Sequence, residues 1–289
     1  MEPEASQFLQ HLETARAIAK TAEKTGLLGK VLSWVSFRRD PGRPEDPASY
    51  TERALHALRE NAIETIASLE LTVAEALQIL GPDFLLDDLG SVNSSWKKHW
   101  EERASRVGID DSERRIWWAR LLAGEIKQPG TFSLRTLAVM DTLSTEEARL
   151  FTRICKYVWW EPLGEPLLIM PRSASDQWRP NFEESTLLEN AGLVKFTPTD
   201  ASRSPIYLGL DEPQGGNLVL VYDKVPFRID FPANSQDIRC GDLVLTDVGK
   251  EIYRLTTPEY SDSYRDEILL EWRGTFDVTE MVGRGYGFD

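Results

Sequence analysis

The sequence predicts an α+β protein, with an N-terminal multi-helix domain followed by a winged-helix-like α/β domain. Three observations predict this. From about residue 47 to residue 158, apolar residues recur every three or four positions, as in helices with one buried face. After Trp160 that period gives way to short apolar runs bounded by Gly, Pro, Asn and Asp, which is how strands read. Within this second half a helix, a Gly192-Leu193-Val194 strand, paired strands and then Leu245-Thr246-x-x-Gly249-Lys250-x-Ile252 follow in winged-helix order. The expected domains are a basic amphipathic arm and linker at 1–43, helices at 44–160, the winged module at 161–282 and a glycine-rich tail at 283–289.

Residues 5–39 read as helical, with an interruption at Gly26–Gly29. The stretch from Arg16 to Arg39 has a net charge of +5, with Glu23 its single acid. Its apolar residues include Leu27, Leu28, Val31, Trp34 and Val35, a candidate membrane face, because a basic helix with Trp and Leu on one side can lie on a lipid surface. The more ordinary reading is docking on the body of the protein or on a second copy. Pro41, Pro44 and Pro47 then stop any helix and mark a linker or sharp turn.

The next helix runs to about Leu80, with Ala54, Leu58, Ala62, Ile66 and Leu69 as its expected buried stripe, and Gly81-Pro82 ends it. A second, Ser94 to Val107, spaces Trp96, Trp100 and Ala104 four apart. Asp110–Glu113 supplies capping and first-turn carboxylates for Arg114–Lys127, which Gln128-Pro129-Gly130 closes. Arg114, Arg115 and Arg120 surround the apolar residues of that helix. Ser133 starts a short helix, Leu134–Leu143, and Ser144 with Glu147 makes a capping box ahead of Ala148–Val158. Strands are expected at Leu167–Met170, Val194–Phe196, Ile206–Leu210, Leu218–Tyr222, Phe227–Phe231 and Leu243–Leu245, with helices at Glu183–Asn190 and Thr246–Leu255.

The segment from Trp117 to Leu137, WWARLLAGEIKQPGTFSLRTL, resembles the signature of an uncharacterised bacterial family, domain-of-unknown-function family 2806. Trp96, Trp100, the Asp110–Glu113 cap and Ser144–Phe151 agree with it, and the resemblance covers roughly Tyr50 to Trp272. The Trp118-Ala119-x-Leu121-Leu122-Ala123 core has a looser similarity to Abi-alpha abortive-infection proteins. The resemblance implies a fold outline and a bacterial setting but no activity; the looser similarity implies phage defence by association. Physically the motif reads as architecture. Trp118, Leu121, Leu122 and Ile126 form a core face, and Ala119 and Ala123 let a second helix come close. Pro129 and Gly130 stop the helix, and Ser133 caps the next. Glu125 and Arg135, the polar exceptions, can pair across the turn.

Catalytic chemistry finds little to stand on. The three histidines are His11, His56 and His99, so a Ser-His-Asp triad in the last 190 residues is excluded. Cys155 reads as a buried thiol; Cys240, beside Arg239, reads as a turn residue open to solvent. Two cysteines and three scattered histidines supply no zinc ligand set, so no metal and no cofactor is expected. Glu125-Ile126-Lys127 has a Glu-x-Lys nuclease spacing, but it ends a helix where nuclease sites use a strand.

The net charge of −14 divides into −3 over residues 1–156 and −11 over 157–289, so the back half repels phosphate backbones. The candidate nucleic-acid face is therefore Arg149, Arg153 and Lys156 at i, i+4 and i+7, with Arg135 nearby in sequence. A solvated helix face is the plainer reading of the same residues. The absence of a long apolar run, the acidic start at Glu2 and Glu4, and the cysteine count point to the cytoplasm. The expected function is a non-enzymatic interaction or regulatory protein with a protein partner or self-association, as a component of phage defence. A nucleic-acid-binding regulator and a membrane-surface effector are the alternatives.

Overall fold

The computed structural model describes residues 49–82, 84, 92–161, 165–170, 179–196, 206–208, 216–233 and 238–281. The N-terminal arm, its proline linker and the glycine-rich tail lie outside the described residues. Helix and sheet are both present, and the chain divides into two compact units, Met1–Asp141 and Thr142–Asp289. That division falls N-terminal of the boundary expected at Trp160. The reason is that the helix before Trp160 packs with elements of the second unit.

The first unit contains α1 (Ser49–Leu80), α2 (Ser94–Ala104), α3 (Ser112–Lys127) and α4 (Leu134–Thr142) among its described residues. At about 1.5 Å per residue α1 is roughly 48 Å long, and it is buried along only part of that length. From Ser68 onward it packs on α3, with Leu69, Val73, Ala74 and Ala76 in the core. Before that point Ile63 is 65% and Ile66 55% exposed, and Ala62 is exposed as well. The expected stripe therefore holds at Leu69 and fails at Ala62 and Ile66, because the end of α2 meets α1 through Ser68, on the other side of the helix from these two residues.

α2 begins at Asn93, whose side chain accepts the amides of Ser95 and Trp96. It stops at Ala104 instead of Val107, where the amides of Arg106 and Val107 tighten to i−3 carbonyls. Trp96, Trp100 and Ala104 are buried as their spacing requires, and the Trp100 indole donates to the Trp118 carbonyl at 3.0 Å. Ser68 Oγ donates to the Val107 carbonyl at 2.6 Å, tying α1 to the end of α2. In α3, Asp111 accepts the Arg114 amide at 2.9 Å, and Ala119 and Ala123 are fully buried, which allows the close approach of α1.

The second unit opens with α5 (Thr145–Cys155), started by the expected reciprocal capping box of Ser144 and Glu147. The helix ends before Val158. Lys156 and Tyr157 turn, and Val158–Trp160 becomes β1, where β-branched and aromatic side chains fit a pleated surface. β2 (Pro166–Leu168), α6 (Phe182–Asn190), β3 (Val194–Phe196), β4 (Ile206–Leu208), β5 (Gly216–Tyr222), β6 (Val225–Phe231), β7 (Ile238–Gly241) and β8 (Leu243–Leu245) follow. α7 (Asp247–Tyr253), capped by Thr246, comes next, then α8 (Asp262–Arg273) and β9 (Asp277–Glu280). Sequence spacing missed β1, β7, β9 and all of α8. Ser261 caps α8 by accepting the Tyr264 amide, and Tyr264, Ile268, Leu269 and Trp272 are its buried stripe.

Five strands form an antiparallel sheet in the order β2-β1-β5-β6-β9, while β3 pairs with β8 and β4 with β7. The β5–β6 hairpin turns at Asp223 and Lys224, both at positive φ, as a two-residue hairpin loop requires. Trp159 centres the core, with its ring 4.8 Å from Tyr222, 4.9 Å from Trp272 and 5.7 Å from Phe227. Its indole donates to the Tyr264 hydroxyl at 3.1 Å, and that hydroxyl donates in turn to the Ile169 carbonyl.

Candidate functional site

The motif's helix-to-helix turn is the most distinctive polar feature of the first unit. α3 ends where the Gln128 amide bonds to the Gly124 carbonyl, and Gly130 takes φ +85°, a conformation that favours glycine. Two amides of the turn then point inward, and Glu125 meets both. Its Oε1 accepts the Gly130 N–H at 2.7 Å and its Oε2 the Phe132 N–H at 3.0 Å, while the residue is only 1% exposed. The carboxylate thus braces the turn, in place of the expected pairing with Arg135, which is exposed on α4. Pro129 and Gly130 are exposed at the tip, and Ser133 Oγ accepts the Thr136 amide at 3.2 Å as the expected cap. Trp118 and Leu122 are buried, as expected of the core face, and Ala119 is buried where a close helix approach was expected.

A second polar feature was not visible in sequence spacing. Arg115, expected among residues surrounding the apolar face, is 8% exposed. Its Nε donates to Glu75 at 2.8 Å and its Nη1 to the Ile109 carbonyl at 2.5 Å. Lys97 on α2 is also buried, and burial, opposed by the charge of Glu101, pushes its ammonium below the usual lysine range.

In the second unit, α5 carries Arg149 and Arg153 at exposed positions, with Lys156 half-buried at its cap. Arg153 bridges Glu184 of α6 at 2.7 Å, and the Lys156 ammonium lies 5.0 Å from the centroid of the Tyr157 ring. These basic groups are thus partly engaged within the unit. Met170, Arg179, Pro180, Phe182, Ser185, Asp242 and Leu243 line a cleft of about 160 Å³, in which Arg179 pairs with Asp242 at 2.8 Å.

Neither cysteine is positioned as a nucleophile. Cys155 is buried, and burial pushes its thiol far above the ordinary range despite a hydrogen bond from Thr256 that works the other way. Cys240, expected in an exposed turn, is buried in β7 at 2% exposure, because it shares the inward side of that strand with Ile238 two positions earlier. His99 lies 3.4 Å from Arg103 on the same helix. The candidate membrane face, Leu27, Leu28, Val31, Trp34 and Val35, lies outside the described residues. Among those residues no helix is long and apolar enough to cross a membrane.

A family model described as "Protein of unknown function (DUF2806)" matches residues 52–196, from the first turns of α1 to β3. The match stops well short of Trp272, where the sequence resemblance was expected to extend. No curated protein and no solved structure matches the chain. The matched segment contains the whole Trp117–Leu137 motif and the buried Glu125 turn, and the chain belongs to this family of unknown function.

Proposed function

We propose that the chain is a non-enzymatic interaction or regulatory protein of the bacterial cytoplasm, acting through its surfaces. One observation carries the reading. The buried carboxylate of the family motif has each oxygen on a backbone amide of its own turn. Both oxygens of this carboxylate are committed to the turn, and withdrawing it for other chemistry would take the acceptor from the Gly130 amide and from the buried Phe132 amide. The setting we propose is phage defence, on a loose resemblance to abortive-infection proteins that we read in the residues Trp118-Ala119-x-Leu121-Leu122-Ala123 alone. The test is light scattering of the purified chain combined with affinity capture from phage-infected and uninfected cells. The reading expects self-association or a stoichiometric protein partner. A solitary monomer with a turnover that Glu125→Gln abolishes would overturn it.

A nucleic-acid-binding regulator is the second reading. It is favoured by the exposed Arg149 and Arg153 on α5, and by α6 leading into the β3–β8 antiparallel pair and α7 in a winged-helix-like order. Such a protein would bind duplex DNA with an affinity that falls steeply with added salt. Absence of binding at low salt would end it.

A further inference from the structure

We propose that the exposed face of α1 around Ile63 and Ile66 is covered by the chain's own basic segment, residues 16–39. Ile63 and Ile66 are one turn apart on the same side of the helix, and both are more than half exposed. The pair makes a small exposed apolar surface, continuous with buried turns of the same helix, that a neighbouring segment can cover. The surrounding residues give the cover its charge. Residues 60–75 contain four glutamates and no Lys or Arg, and of these Glu64 and Glu70 are exposed while Glu75 is held by Arg115.

The segment that fits this face is next to it in the chain. Residues 16–39 carry +5 and the apolar run from Leu27 to Phe37, so they match the acidic, apolar face in both charge and hydrophobicity. Residues 40–48 join the two. Nine residues reach roughly 30 Å when extended, and Ile66 lies about 26 Å along α1 from Ser49 at the helical rise. Three prolines in that connection break helix, so the chain is free to reverse. A tether this short raises the effective concentration of the segment to about the millimolar range. A second copy of α1 on the same face would place Glu64 and Glu70 against another acidic stretch, which disfavours it.

Hydrogen exchange by mass spectrometry on the full chain tests this. Wild type is compared with Ile63→Asp/Ile66→Asp on the face and with Leu28→Asp/Trp34→Asp on the segment. Amides of residues 27–37 should exchange at least about tenfold more slowly in wild type than in either variant. Amides of residues 62–67 should accelerate in the Leu28→Asp/Trp34→Asp chain, while those of α3 stay unchanged as the control for folding. An unprotected segment in wild type, or protection that survives Ile63→Asp/Ile66→Asp, overturns the proposal. So does protection that grows with protein concentration alongside a dimer mass, which assigns the face to a second copy. Protection that appears only with anionic vesicles overturns it in favour of a membrane.

Discussion

The Phe132 amide donates to the Glu125 carboxylate at 3.0 Å, and this bond fixes the Phe132 ring over Gly124. A Cβ at position 124 would sit 2.6 Å from Phe132 Cε2. The ring has little room to give way, because its backbone is held by Glu125 and its side chain is 4% exposed. Gly124→Ala gains helix propensity worth about 1 kcal/mol but forces an overpacked contact worth about 1–3 kcal/mol. The expected outcome is a net loss of stability, read as a lower urea midpoint with an unchanged slope.

Arg115 and Glu75 are forty positions apart in sequence and hold α3 against α1 through a largely buried pair. Removing one partner leaves the other charge buried, at a cost of about 3–5 kcal/mol. Arg115→Ala should therefore destabilise the first unit far more than Arg114→Ala, whose guanidinium donates to the Asp141 carbonyl at a half-buried position. Chemical denaturation of the two variants checks the ranking.

Acid should weaken the link between α5 and α6. Burial raises the Glu184 carboxyl, but the hydrogen bonds from Arg153 and the Asn181 amide, with the charge of Arg153, together hold it below the ordinary range. A carboxyl depressed on folding contributes stability that is fully present above its unfolded pKa of about 4.3. That stability is lost as the pH falls through the lower folded value. Arg153 is half exposed, so the contribution is under about 1 kcal/mol. NMR titration should show Glu184 moving upward in Arg153→Ala, with a shallower loss of stability below about pH 4.5.

Thiol labelling should distinguish folded from unfolded chain. Cys155 and Cys240 are both buried, and the Cys155 thiol is held protonated by burial. Neither should react with iodoacetamide at pH 8 in the native protein, and both should react in denaturant. Rapid native labelling of Cys240 would contradict its place in β7.

The periodic first half was largely legible, because capping residues are local: Ser144 with Glu147, Asp111 and Ser133 all mark starts the structure keeps. Local spacing misled where a contact distant in sequence decides the outcome. Val158 continues the apolar period of α5, yet its pairing with Leu168 makes it strand. Tyr264, Ile268, Leu269 and Trp272 carry a helix period that the preceding Pro258 and the surrounding strand-like texture concealed. Ile66 fits a buried stripe, but burial depends on which helix reaches it. The partners of Glu125 are backbone amides, and side-chain spacing cannot reveal them. Arg115 looked like a surface arginine because its partner Glu75 lies on another helix.

The bracing role of Glu125 is tested most directly by the unfolding free energy of Glu125→Gln. Glutamine presents one acceptor and one donor to the two amides of Gly130 and Phe132, so one of these N–H groups is left facing a donor. A bracing carboxylate predicts a loss of about 1–3 kcal/mol, seen as a lower denaturant midpoint. An unchanged midpoint, together with a metal ion or substrate bound by wild type and lost in the variant, would contradict it.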